Sequence, residues 1–73
     1  MHQARLDKLR KGMAEQRLEA LLVTGSHNRE YLSGFAGSAG YLLITADKAY
    51  LLVDFRYTEQ AKAQAPQFTV VEH

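Results

Sequence analysis

The sequence predicts an α/β domain with a mixed sheet and flanking helices. Helical and strand-like patterns alternate along the chain, and two β-rich runs, Tyr41–Thr45 and Ala49–Asp54, flank the short polar connection Ala46-Asp47-Lys48. A helix-forming stretch then stops at Pro66, just ahead of a last apolar run. The first pair makes an antiparallel hairpin. The helix that follows is a crossover that returns the final strand parallel to its predecessor, so the sheet must be mixed.

The first element is a surface helix from about Gln3 to Arg17. Leu6, Leu9 and Met13 fall at i, i+3 and i+7 on one stripe, while Arg5, Lys8, Arg10 and Lys11 lie mostly off it. Gly12 costs that helix roughly 1 kcal/mol against alanine, and no glycine marks its end. Ala20–Thr24 is a nearly continuous apolar run closed by Gly25-Ser26, which predicts a central strand covered on both faces. A helix of one or two turns follows, with Ser26 or Asn28 as its cap, Glu30 near its positive end and Gly34 at its left-handed exit. After the hairpin, Asp54 stands where an N-cap should stand. Tyr57–Ala65 are mostly good helix formers, and Phe68–Val71 is the last strand.

Composition narrows the function classes. With 73 residues the chain suffices for one small domain, and a net charge of +1 supplies no field for nucleic acid or anionic lipid. Hydrophobic residues make up 47%, yet no apolar run approaches the length a membrane-spanning helix needs. Without cysteine there is neither a disulfide framework nor a thiolate metal site, and the charged amphipathic start is no secretory signal, so the expected compartment is cytoplasmic.

The segment from Asn28 to Tyr57 carries what is specific here. Gly34, Gly37 and Gly40 recur every three residues, but between a helix and a strand, in neither the spacing nor the order of the dinucleotide or P-loop fingerprints. Close backbone packing accounts for them better than phosphate binding. Asp54, Arg56 and Tyr57 form a polar cluster at a strand end, where open α/β sheets place ligands. A cap explains Asp54 and packing on the sheet explains Tyr57, which leaves Arg56 as the candidate contact for a carboxylate or a partner chain. His2, His27 and His73 share no ligand spacing with a carboxylate pair. Ser26, Ser33 and Ser38 have no base partner, so no catalytic or metal-binding set is expected.

Taken together, Asn28, Tyr31, Leu32, Ser33, Gly34 and Phe35, then Gly37, Ser38 and Gly40 opening a strand, then Asp54, Arg56 and Tyr57 closing the next, resemble the N-terminal domain of the creatinase, prolidase and aminopeptidase P family. The resemblance spans the chain from first helix to last strand. It implies a ribonuclease H-like fold, truncated relative to the family domain, with residues 1–73 forming a partial domain whose open sheet edge invites pairing.

The resemblance further implies a parent enzyme, an Xaa-Pro dipeptidase or aminopeptidase, that hydrolyses the bond before proline with two divalent metals, usually manganese, held in a C-terminal domain of pita-bread fold. Those ligands have no counterpart in this sequence. In such a protein this chain would help form a homodimer and shape access to the active site, with Arg56 and Tyr57, and less directly Tyr31, Phe35 and Asn28, facing substrate or the neighbouring subunit. Its partners would be its own catalytic domain, a second subunit and proline-containing peptides. The contrasting reading is a stand-alone binding or oligomerisation module without peptidase activity. A small nucleotide-binding protein ranks below both.

Overall fold

A computed structural model describes residues 2–37 and 40–72. The elements are α1 (His2–Glu15), β1 (Ala20–Val23), α2 (Ser26–Ser33), β2 (Tyr41–Thr45), β3 (Ala49–Val53), a 3-10 turn (Phe55–Tyr57), α3 (Thr58–Gln64) and β4 (Thr69–Glu72). The four strands form one sheet in the order β1-β2-β3-β4. β1 and β3 each run antiparallel to β2, and β4 runs parallel to β3. The mixed sheet expected from the hairpin and the crossover helix is therefore present.

Local chemistry explains most boundaries. In the hairpin connection the Lys48 N–H donates to the Thr45 hydroxyl at 2.9 Å while the Thr45 N–H donates to the Lys48 carbonyl, also at 2.9 Å. Gly34 ends α2 at φ 85°, donating its N–H to the Glu30 carbonyl, as a left-handed glycine cap does. α3 ends at Gln64, with Ala65 as its cap and Pro66 next.

Three expectations need correction. The first helix stops at Glu15, two residues early, because Arg17 adopts φ 59°. The Leu18 N–H reaches the Met13 carbonyl and the Arg17 N–H reaches Ala14, a paired closure usually built on glycine. Neither Ser26 nor Asn28 caps α2: its N-cap is Gly25, with no side-chain bond. β1 is not central, because within this sheet it pairs with β2 alone, and Ala20 and Leu22 are exposed. An apolar run reports burial tendency, whereas strand order is decided by pairings distant in sequence.

The core lies between one sheet face and the helices. Leu6 and Met13 from α1, Leu32 from α2 and Ala61 from α3 join Val23, Leu42, Ile44, Leu51 and Val53 from the strands in one cluster. Period-2 alternation sends every second residue of β2 and β3 into it. Burying each large aliphatic side chain contributes about 2 kcal/mol. Cross-ties fix the helices to this frame: Arg10 Nε donates to the Thr45 carbonyl and an Arg5 amino group donates to the Tyr31 carbonyl, both at 2.9 Å.

Candidate functional site

The glycine-rich segment is held from below by a buried arginine. Arg29 sits on α2 at i, i+3 and i+4 with Leu32 and Ser33, and these three are the buried residues of that helix. At 3% exposure its guanidinium donates to the Gly37 carbonyl at 2.6 Å and the Gly40 carbonyl at 3.0 Å. Its carbon centre lies 5.9 Å from the centroid of the Phe35 ring. Two backbone carbonyls thus stand in for a carboxylate partner and receive the two terminal amino groups of a charge that is expensive to leave bare in the interior, while the buried Nε has no hydrogen-bond partner.

Neighbouring groups lock the same loop. The Ser33 hydroxyl donates to the Arg29 carbonyl at 2.6 Å and accepts from the Phe35 N–H at 3.0 Å. From α3, Gln64 Oε1 accepts the Ala36 N–H at 3.0 Å. A Cβ placed on Gly37 would overlap the Phe35 ring, so glycine there is required by close approach. The packing role expected for the loop is therefore seen at atomic level, while Ser38, named in the family pattern, lies outside the described residues.

At the C-terminal end of β3 the expected polar cluster is present. Asp54 caps the 3-10 turn by accepting the Arg56 N–H at 2.9 Å, and the same carboxylate oxygen accepts from Arg56 Nε at 3.2 Å. The Arg56 side chain remains 67% exposed, with its guanidinium carbon 5.7 Å from the centroid of the Tyr57 ring. Tyr57 in turn meets Phe35 edge-on, with centroids 6.2 Å apart at 82°. Arg56 is thus braced at its Nε by Asp54 and turned outward, a posture suited to an incoming carboxylate or carbonyl.

The five candidate contacts divide. Arg56 and Tyr57 share the strand end, whereas Asn28 and Tyr31 lie on α2 beside an apolar groove of about 310 Å³ with Leu9, Leu21, Val23 and Leu32. Tyr31 is 52% exposed and lies under the Arg5 guanidinium, 4.2 Å from ring centroid to carbon. Phe35 is the exception: it is fully buried and offers no surface to substrate or subunit, a correction caused by its place between the loop glycines and Tyr57. Sequence reasoning missed Arg29, although its spacing with Leu32 and Ser33 on a helix otherwise poor in apolar residues marked the buried face. Among the described residues there is no group of three or more His, Cys, Asp or Glu that could hold a metal ion.

The structure is thus a mixed sheet bearing its helices on one face, with a clasped glycine loop beside an outward-facing arginine. The chain belongs to the Creatinase/Prolidase N-terminal domain family, whose pattern matches residues 5–73. It is 45% identical over 69 residues to the uncharacterized peptidase YqhT of Bacillus subtilis, covering 94% of this chain and 20% of that protein. It superposes on an Xaa-Pro dipeptidase from Bacillus anthracis with TM-score 0.95 and 36% identity, covering 100% of this chain and 21% of that one. On the N-terminal domain of the cytoplasmic peptidase PepQ from Mycobacterium tuberculosis the TM-score is 0.90 and identity 46%, covering 96% of this chain and 55% of that chain. The chain therefore aligns with the N-terminal domain of Xaa-Pro peptidases and spans about a fifth of such full-length relatives.

Proposed function

We propose that this chain is the non-catalytic N-terminal domain of an Xaa-Pro dipeptidase or aminopeptidase, and that it contributes to active-site access and to a homodimer. The observations that carry this reading are the match to the Creatinase/Prolidase N-terminal domain over residues 5–73 and the superposition of the whole chain on about a fifth of an Xaa-Pro dipeptidase. The parent reaction is hydrolysis of the peptide bond preceding proline by two divalent metals, manganese in this proposal, bound in the C-terminal catalytic domain. A cytoplasmic location fits both the cytoplasmic relative and the absence of any helix, among the described residues, long and apolar enough to cross a membrane.

Within that protein Arg56 is the substrate-side contact, with Tyr57 supporting it, because it combines high exposure with a fixed anchor at Asp54. Tyr31 and Asn28 serve a subunit contact through their exposed positions on α2. Replacing Arg56 by alanine in the full-length protein should raise KM for Xaa-Pro dipeptides about tenfold, the loss of one charge-assisted contact, with kcat and the dimer retained. Steady-state kinetics with sedimentation checks this. An unchanged KM would remove Arg56 from the cleft.

A further inference from the structure

We infer that Phe35 is a positioning residue for Arg56: fully buried itself, it acts on the exposed guanidinium through the Tyr57 ring. The inference rests on the reading of Arg56 as the substrate-side contact and adds what holds that side chain in its pose. A file of side chains runs from the interior to the surface. The Arg29 guanidinium carbon lies 5.9 Å from the Phe35 centroid, the Phe35 and Tyr57 centroids are 6.2 Å apart with the rings at 82°, and the Arg56 guanidinium carbon lies 5.7 Å from the Tyr57 centroid. Arg29 and Phe35 are buried, Tyr57 is half-buried and Arg56 is exposed.

The bond to Asp54 does not by itself explain the pose. Asp54 meets Arg56 Nε at 3.2 Å in an exposed pair, and such a pair is too weak to offset the rotamer freedom that a long side chain loses when it is fixed. The ring of Tyr57 is the second support, since a guanidinium within about 6 Å of an aromatic face is drawn to it. A ring can support only if it is itself held. Tyr57 packs against the core cluster, and Phe35 meets it nearly at right angles, the arrangement in which the positive edge of one ring faces the negative face of the other. Phe35 has no room to turn. The backbone of Gly37 lies so close that a Cβ there would overlap its ring, and a Cβ on Gly40 would come within 3.4 Å of it. The carbonyls of both glycines accept from Arg29, at 2.6 and 3.0 Å. The buried arginine therefore fixes the loop, the loop cages Phe35, Phe35 holds Tyr57, and Tyr57 supports Arg56.

Spatial order alone does not establish coupling, so the test is a double-mutant cycle. Phe35→Leu and Arg56→Met are made singly and together in the full-length protein. Leucine keeps an apolar side chain beneath the glycines but removes the ring that faces Tyr57. Phe35→Leu should raise KM for Xaa-Pro dipeptides about threefold when Arg56 is present and leave it unchanged in the Arg56→Met background, because the ring acts only through the guanidinium. A purely structural loss would act alike in both backgrounds. Nitrogen relaxation at Arg56 Nε, with arginine selectively labelled, gives a readout independent of activity: its order parameter should fall on Phe35→Leu. An unmoved order parameter overturns the inference, as do equal KM ratios in the two backgrounds when Arg56→Met itself raises KM. If Arg56→Met leaves KM at the parent value, it is the substrate reading of Arg56 that fails, and the order parameter alone decides whether Phe35 positions that side chain. Should Phe35→Leu fail to fold, Phe35→Met, whose flexible side chain fills irregular gaps, takes its place with the same expectations.

Discussion

Arg29 and Arg56 bracket the same loop-and-hairpin segment, yet they are opposite in kind. Arg29 is 3% exposed and spends its donors on the carbonyls of Gly37 and Gly40, whereas the Arg56 side chain is 67% exposed and is braced by Asp54. The difference teaches that surroundings, more than residue type, separate a scaffold residue from a contact residue. A buried guanidinium must be satisfied internally and therefore orders the backbone around it. An exposed one retains donors for a ligand, and its surface ion pair adds little to stability.

The sharpest way to break this contrast is to remove each cation in turn. Arg29→Met should destabilise the fold by about 3 kcal/mol, since two charge-assisted bonds vanish and two loop carbonyls lose their donors. Arg56→Met should stay within about 0.5 kcal/mol of the parent. Urea unfolding of both variants measures this directly, and comparable losses would erase the distinction. Gly37→Ala comes next, at about 2 kcal/mol, because the new methyl enters the space of the Phe35 ring. The loop's dependence on close approach would be refuted by a thermal midpoint equal to that of the parent.

The strand-end turn should respond more mildly. Asp54→Ala removes the cap that receives the Arg56 N–H and should cost about 1 kcal/mol. Asp54→Asn retains an acceptor and should cost no more than a few tenths of a kcal/mol. If the asparagine variant falls as far as the alanine one, the ion pair with Arg56 outweighs the cap, and the two arginines are more alike than their exposure suggests.

Where local chemistry suffices, the sequence was readable. The hairpin around Ala46-Asp47-Lys48, the Gly34 exit, the Asp54 cap and the stop before Pro66 each follow from a few adjacent residues, and all four stand in the structure. Motifs in order across Asn28–Tyr57 likewise carried the family. Arg17 ending α1 was not readable, because a non-glycine residue at φ 59° contradicts its own propensity and is held by the Schellman-type closure beneath it. Phe35 was legible as part of the motif but not as a core residue. Its burial depends on Gly37 and Tyr57 converging from separate elements.

By itself, then, the sequence determined element types, turn chemistry and lineage, since these are encoded in short-range sterics, capping and residue order. Tertiary structure alone decided that β1 lies at the sheet's margin, that Arg29 enters the interior while Arg56 faces out, and that one sheet face is covered by helices while Leu22, Tyr41 and Val71 leave the other open. The physical reason is that alternation gives each strand two faces but does not say which neighbours will cover them. That depends on contacts between residues far apart in the chain.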